Sequence, residues 1–309
     1  GLRFGTWVDD AGRTAQELVA AARAAAAAGL DGFWLTESHH GDPLTLLALI
    51  GREVPEIGLG TAVVRTYPRH PLVLASQALT VQALTGNRLT LGLGTSHREI
   101  VEQEYGYDFE RPGRFTEEYL SALMPLLHGE AVTYRGETLR ATGQVTVPGA
   151  EPPRVLLAAH GRRLLRLGGE LADGVLVTWV GPTVLARHIV PTVSQAASRA
   201  GRPAPRVLAT ALVSVSSDPV AKREWVARTY GAAGALPSYR ETLEREGVGG
   251  PADVAIVGDE NGVARALQRL ADAGLTDLVA IPFGDPAEVG RTRALIKALT
   301  RTHAGDGSG

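Results

Sequence analysis

Short apolar segments alternate with longer segments of helical periodicity along the chain. The first unit pairs an apolar segment with a helix that begins after the capping box of Thr14 and Glu17 and ends at Gly29. The unit recurs and predicts eight strands, each paired with a helix. The strands are predicted at 3–8, 31–36, 57–63, 88–94, 154–159, 174–179, 207–214 and 277–282.

Two connections are much longer than the others, and they follow the fourth and the seventh strands. Long connections in compact domains often have a function of their own, so both are candidates for segments that cover a substrate. Their predicted elements are a helix at 114–127, a hairpin of 131–134 and 137–140 around Gly136, and helices at 220–230 and 238–245.

Eight alternating strands and helices predict an α/β fold, a (β/α)8 TIM barrel with insertions after strands 4 and 7. An open doubly wound sheet is the alternative, and it would be expected to carry a G-x-G-x-x-G phosphate loop after its first strand. The chain has Asp9, Asp10, Ala11 and Gly12 there, which favours the barrel. We predict one domain at 1–300 and a disordered tail at 301–309, where the residues are small and polar.

The sequence Gly-Leu-Gly-Thr occurs twice, at 58–61 and at 92–95, where the third and fourth strands end. Glycine in a strand usually marks the close approach of a ligand or of another part of the backbone. Small residues that fit a crowded layer of the barrel explain the repeat equally well. Both interpretations stay open at the level of the sequence.

Composition narrows the class of protein. Hydrophobic residues make up 44% of the chain but aromatic residues only 5%, which predicts an aliphatic core and suits a parallel sheet buried on both faces. The net charge of -2 gives no electrostatic reason to expect nucleic acid or an anionic membrane as a partner. The absence of Cys excludes disulfides and thiol nucleophiles. With no signal-peptide pattern and no apolar segment of roughly 20 residues, we expect a cytoplasmic protein.

Barrel enzymes place their chemistry at the carboxyl ends of the strands. Most of the histidines follow the second to the fifth strands, so we expect the site on that side. Adjacent His39 and His40 point to opposite sides of an extended segment, and few carboxylates follow the strands, so we expect no catalytic metal. The histidines in these connections are His39, His40, His70, His97, His128 and His160.

An anion site is predicted after the fifth strand. Residues 158–163, Ala-Ala-His-Gly-Arg-Arg, run from a strand end directly into a helix N-terminus, where free N–H groups and the helix dipole attract phosphate. An ordinary strand–helix turn with surface arginines is the alternative, and the residues alone do not exclude it.

Four segments in order carry a family resemblance: GLDGFWLTESHH (29–40), IGLGTAVVRTYPRHPLVLA (57–75), GNRLTLGLGTSHRE (86–99) and VLLAAHGRRLLRLGGELADGVLVTW (155–179). Over 1–300 the chain resembles the bacterial luciferase-like superfamily, and within it the coenzyme F420-dependent oxidoreductases. The resemblance implies a deazaflavin or flavin cofactor, a small-molecule substrate and a homodimer formed through helices beside strands two to four.

The resemblance also assigns roles by position. His39 would line the cofactor ring and transfer a proton, with His97 and Glu37 as other candidates. Ser38 stands where most relatives have an acidic residue, so the resemblance does not imply an acid–histidine relay at that place. The pair Ala62-Val63 matches a non-proline cis peptide beside the ring. The remaining positions matched to cofactor contacts are Ser38, Thr61, Arg65, Thr95, Ser96, Ala159, His160, Gly161, Arg162 and Trp179.

Three functions follow, and the sequence does not name the substrate. The first is hydride transfer between the C5 atom of F420 and a small organic substrate. The second is an FMNH2-dependent luciferase-like monooxygenase, and the third is a flavin- or deazaflavin-binding protein without catalysis. A basic rim formed by Arg65, Arg69, Arg98 and Arg162 would suit the anionic polyglutamyl tail of F420. Ser96, His97 and Pro43 occupy positions where relatives that oxidise sugar phosphates have acidic and Trp residues, which disfavours that substrate.

Overall fold

The computed structural model describes residues 1–305 of the chain and contains a closed barrel of parallel strands surrounded by helices. The barrel follows the order β1-β2-β3-β5-β8-β9-β10-β12 and closes because β12 pairs with β1. The predicted (β/α)8 barrel is therefore confirmed. The strands are β1 (Arg3–Trp7), β2 (Gly32–Leu35), β3 (Gly58–Thr61), β4 (Val64–Arg65), β5 (Leu89–Gly94), β6 (Val132–Arg135), β7 (Arg140–Gly143), β8 (Arg154–Ala158), β9 (Gly174–Thr178), β10 (Arg206–Val215), β11 (Ile256–Gly258) and β12 (Asp277–Pro282).

Helices follow the strands and pack on the outside of the barrel. Two segments have π-helical geometry, at Ile100–Glu104 and Leu185–Ile189, and a short 3-10 helix lies at Ala233–Ala235. The α-helices are α1 (Ala15–Ala27), α2 (Pro43–Glu53), α3 (Pro71–Thr85), α4 (Pro112–Leu127), α5 (Arg162–Glu170), α6 (Pro182–Val184), α7 (Val190–Arg199), α8 (Pro219–Tyr230), α9 (Pro237–Glu246), α10 (Pro251–Val254), α11 (Glu260–Asp272) and α12 (Pro286–Gly305).

The structure corrects several predicted boundaries. The third strand does not run unbroken to residue 63: β3 ends at Thr61, and after an interruption β4 continues beside β5. The helical segment after β9 is not one continuous α-helix: it is divided into α6, a π-helical turn and α7. The last helix, α12, extends to Gly305, five residues into the tail that we predicted to be disordered; the rest of that tail, 306–309, lies outside the described residues.

The hairpin in the first insertion is shifted from its predicted register. Its second strand begins at Arg140 and not at Glu137. The reason is the buried carboxylate of Glu118 on α4, which accepts backbone N–H groups from Glu137, Thr138 and Leu139 at 2.8–3.0 Å. These residues therefore form the turn, and the ladder starts after them.

The interior of the barrel holds a small core of its own, which we call the inner core: Trp34, Leu156, Leu176, Leu208 and Val279, each from a different strand. A separate and much larger cluster, nearly all of it aliphatic, fills the space between strands and helices. This arrangement agrees with a sheet buried on both faces. Within residues 1–305, no helix combines the length and apolar character that crossing a membrane requires.

The repeated Gly-Leu-Gly-Thr segments serve packing within the barrel. A Cβ atom at Gly60 would lie 2.2 Å from the indole ring of Trp34, and one at Gly92 would lie 2.0 Å from the backbone oxygen of Thr61. Contacts this short do not occur between real atoms, so both positions require glycine. The structure thus favours the crowded-layer interpretation of the repeat over close approach of a ligand.

Candidate active site

The carboxyl ends of the strands form the mouth of the barrel, and the segment after β2 is held there by an ion pair. The carboxylate of Glu37 accepts the backbone N–H of Arg65 and the guanidinium of Arg69, each at 2.6 Å, and Arg69 also contacts Asp42 at 2.8 Å. The side chains of Glu37 and Arg69 are each only 12% exposed. Because its carboxylate already serves these donors, Glu37 is better placed to fix this segment than to accept a proton from a substrate.

His39, the residue singled out for proton transfer, lies at the rim of the mouth with 66% of its side chain exposed. Its Nε2 lies 2.7 Å from a carboxylate oxygen of Glu104, in the π-helical segment after β5. Ser38 donates its hydroxyl to Asp10 at 3.1 Å. The acidic partner that the sequence lacks at Ser38 is therefore supplied to His39 by an insertion distant in sequence.

Beneath this rim, the segment between β3 and β4 forms a floor. The peptide bond Ala62-Val63 is cis, as the resemblance implied. Both side chains pack against the inner core. The two carbonyl groups accept hydrogen bonds from the β2 side, that of Ala62 from the hydroxyl of Thr36 and that of Val63 from the N–H of Glu37.

A second polar group lies across the ends of β5 and β8. The ring of Tyr239, from α9, makes edge contacts with His97 and His160, with ring centroids 5.8 and 4.9 Å away. His160 Nδ1 is 3.2 Å from the hydroxyl of Thr242. Burial lowers the pKa of His97, and burial together with His97 lowers the pKa of His160 to about 4. Both imidazoles are therefore neutral at pH 7 and can serve as hydrogen-bonding groups without adding charge.

The segment in which the sequence predicts an anion site, after the fifth strand, is the start of α5. Gly161 is the N-cap of α5 in an extended conformation, and no side chain caps the helix. A Cβ atom at Gly161 would meet nothing within 4 Å, so the space in front of the helix end is open. Free N–H groups at a helix start, with Arg162 and Arg163 following, are a donor set that fits a phosphate.

The opposite side of the mouth is aromatic. Trp179, which follows β9 with a φ of 53°, packs on Tyr230 with ring centroids 5.4 Å apart. Trp225 stacks on Phe283 at 5.2 Å, and Tyr230 lies edge-on to Trp225. Burial, with the carboxylate of Asp9 at the end of β1, raises the pKa of Tyr230. We call Trp179, Trp225, Tyr230 and Phe283 the aromatic wall.

Of the other residues matched to cofactor contacts, Thr61 and Arg65 are bonded within the protein, whereas Thr95 and Ser96 lie at a strand end. Thr61 is fully buried and donates its hydroxyl to the carbonyl of Gly92 at 2.7 Å, so it joins β3 to β5. Arg65 is nearly buried, and its guanidinium lies 2.8 Å from the hydroxyl of Tyr105. Thr95 and Ser96 come directly after β5, with Ser96 in the left-handed region at φ 66°.

The structure thus brings the sequence-derived residues together at one mouth, and it adds partners that the sequence did not identify. Glu104, Tyr105 and Tyr239 come from the two insertions. A histidine at a strand end of an enzyme is commonly paired with a carboxylate. The insertion after β5 contains several acidic residues, and their spacing in the sequence does not indicate that Glu104 is the one that contacts His39. Among the described residues, no three His, Asp or Glu side chains form a group that could hold a metal ion.

Comparison with known proteins agrees with this fold. Residues 2–302 match the family model described as luciferase-like monooxygenase. The 5,10-methylenetetrahydromethanopterin reductase of Methanolobus tindarius is 30% identical over 233 residues, which cover 74% of this chain and 70% of the relative.

Two solved structures with the same fold were determined with different cofactors. An F420-dependent secondary alcohol dehydrogenase, in complex with an F420-acetone adduct, has a TM-score of 0.79 at 13% identity and covers 96% of this chain and 97% of its own. The oxygenating constituent of 3,6-diketocamphane monooxygenase, from the CAM plasmid of Pseudomonas putida and in complex with FMN, has a TM-score of 0.74 at 17% identity, with coverage of 96% and 97%.

Protonation of His160 should destabilise the fold. Its pKa is about 4 in the folded chain and 6.5 as a free group, so between these values the unfolded chain takes up a proton that the folded chain does not. The free energy of unfolding should therefore fall as the pH falls from 6.5 to 4, by about 3 kcal/mol in total. Urea unfolding of His160→Gln should show a flatter pH dependence over this window.

The matched control for this measurement is His128→Gln, which removes an exposed histidine. Its curve should run parallel to that of the wild type. A His160→Gln curve equally parallel to the wild type would contradict the prediction, because it would mean that His160 titrates alike in the folded and unfolded chains.

Proposed function

The chain belongs to the luciferase-like monooxygenase family, and on this premise we propose that it is a coenzyme F420-dependent oxidoreductase that transfers a hydride between the deazaflavin and a small organic substrate. The observation that carries the proposal is the open, uncapped start of α5 at Gly161, at the same mouth as the His39–Glu104 pair. An anion site beside a proton-transfer pair suits a phosphate-bearing redox cofactor.

The residues present fit the cofactor in two places. The N–H groups after Gly161, with the guanidinium of Arg162, would hold its phosphate. The floor at Ala62-Val63 and the rim residues Ser38 and His39 would contact its ring, with Thr95 and Ser96 beside them. When bound, a deazaflavin supplies a carbon that gives or accepts a hydride, so the protein has only to position the substrate and manage a proton.

We propose His39 as the residue that transfers the proton to or from the substrate. Its Nε2 contacts Glu104, which leaves Nδ1 to face a substrate. The carboxylate of Glu104 would orient the imidazole, as carboxylate partners do for catalytic histidines. His97 and His160, both neutral at pH 7, would donate or accept hydrogen bonds rather than carry charge.

The aromatic wall would form the substrate side of the mouth. Its rings present a large apolar surface, and Trp225 is 39% exposed in spite of its size. A substrate with an apolar portion would gain by burying it against these rings. The polar groups lie on the other side of the mouth and would be left for the cofactor.

An FMN-dependent monooxygenase is the second candidate. The diketocamphane monooxygenase component was solved with FMN on the same fold, and FMN also carries a phosphate that the Gly161 turn would accept. The arginines that follow this turn favour F420, because its tail adds further negative charge beyond the phosphate. The His39–Glu104 pair favours either enzyme over a binding protein without catalysis.

Titration of the purified protein with F420 and with FMN, followed by fluorescence, tests the proposed cofactor. We expect F420 to bind with a micromolar dissociation constant or better and FMN to bind much more weakly. Micromolar binding of FMN alone would contradict the proposal and would favour the monooxygenase. Gly161→Asp is the matched variant, because Asp is a favourable N-cap that keeps the helix start but repels phosphate. Gly161→Ala, at a position with open space, should retain binding.

Replacement of His39 by Gln tests proton transfer. With a substrate in hand, turnover of His39→Gln should fall by roughly 100-fold or more, and the limb of the pH–rate profile that reports the base should disappear. The dissociation constant for F420 should rise far less than turnover falls, because the phosphate turn is untouched. Unchanged turnover with an unchanged profile would remove His39 from the chemistry. Glu104→Gln should keep the profile's shape but lower the rate, as expected of a positioning residue.

We also propose a homodimer formed through α2 and α3. These neighbouring helices expose Leu49, Val73 and Leu84, which are 41%, 50% and 45% exposed. The wild type should sediment as a dimer, and Val73→Asp should sediment as a monomer, because a charge at a buried contact is costly. Val220→Asp on α8 is the control and should remain dimeric. A monomeric wild type would contradict the proposal.

A further inference from the structure

A groove of about 590 Å³ runs between α5 and α7 on the outside of the barrel. The two helices pack closely at Gly169, where a Cβ atom would lie 2.3 Å from the backbone oxygen of Val193. The groove begins with Arg162, next to the Gly161 turn, and extends to Glu170, about 12 Å further along α5 at 1.5 Å per residue. It therefore leads away from the mouth at the place where the phosphate site lies.

The groove is strongly basic in a chain whose net charge is -2. Four arginines line it, and Glu170 is the one carboxylate among the lining residues. Glu170 pairs with Arg166, and Glu117 from outside the groove pairs with Arg163. Arg162 and Arg199 form no ion pair with any residue between 1 and 305 for which the structure gives contacts. Two guanidinium groups thus remain available to an external anion.

The basic rim that the sequence suggested for the cofactor tail is largely engaged within the protein. Arg69 is held by Glu37 and Asp42, Arg98 pairs with Glu102, and Arg65 contacts Tyr105. These guanidinium groups already have partners. Of the four rim arginines, Arg162 alone lines the groove.

On the basis of the proposed function, we propose that the groove between α5 and α7 binds the polyglutamyl tail of the deazaflavin. Arg162 would lie where the tail leaves the phosphate, and Arg199 would meet a carboxylate further along the tail. Arginine suits this task, since its planar guanidinium pairs with a carboxylate through two parallel hydrogen bonds. FMN has no such tail, so the groove would separate the two cofactors by affinity and leave the chemistry at the mouth unchanged.

The test compares two deazaflavin ligands, one with a long glutamyl tail and one without glutamyl residues. Their dissociation constants are measured by fluorescence at low ionic strength, with wild type, Arg199→Glu and Arg293→Glu. The last variant carries the same change of charge on the exposed surface of α12 and lies outside the groove. Thermal unfolding confirms that each variant is folded.

We expect the wild type to bind the tail-bearing ligand roughly five- to tenfold more tightly than the tail-free one, and added salt to reduce this ratio. The ratio should approach one in Arg199→Glu and stay at the wild-type value in Arg293→Glu. Affinity for the tail-free ligand should be similar in all three proteins.

Two results would overturn the inference, and they are distinguishable. Equal affinities of the wild type for both ligands, or equal ratios in the two variants, would remove the groove from tail binding but leave the proposed cofactor intact. Binding of neither ligand would contradict the proposed function itself, and the role of the groove would fall with it.

Discussion

The indole ring of Trp34 fills the interior of the barrel, and the rest of the structure is arranged around it. A closed barrel of eight strands leaves an interior that side chains must fill. Gly5, Gly32 and Gly60 on three neighbouring strands leave the space that the ring occupies, since a Cβ atom at any of them would lie within 2.7 Å of it. The cis peptide Ala62-Val63 rests on the core that surrounds this ring. The closed interior therefore forms the floor of the mouth, and the polar chemistry lies above it.

The mouth has a polar side and an aromatic side. The insertion after β5 contributes to the polar side, and the insertion after β10 contributes to both. The insertion after β5 brings Glu104 to His39 and Tyr105 to Arg65. The insertion after β10 brings Tyr239 to the two neutral histidines and also provides Trp225 and Tyr230 of the aromatic wall. A polar side with an uncapped helix start and an apolar side of stacked rings are what a cofactor and an organic substrate would need side by side.

The polar residues at the strand ends could be predicted from the sequence, whereas the side chains that contact them could not. Alternation of apolar and helical segments places His39, His97 and His160 after parallel strands, and the closure of a barrel then brings them to one mouth. Glu37 looked equally available in the sequence, but the structure shows it held by Arg69. That difference depends on the path of the chain after β4, which local periodicity does not encode. The basic rim changed as well, because Arg65 contacts Tyr105, Arg69 is held by Glu37 and Asp42, and Arg98 pairs with Glu102.

The sequence was enough to predict the barrel, the aliphatic core, the position of the cis peptide through family resemblance, and the turn before α5. These features depend on the order of residues within a few turns or on patterns repeated along the chain. The folded chain was needed to show which carboxylate contacts His39, why the repeated glycines are required, and that Arg162 and Arg199 line a groove between α5 and α7. Each of these depends on contacts between segments far apart in the chain, which form only when the barrel closes and its insertions pack across the mouth.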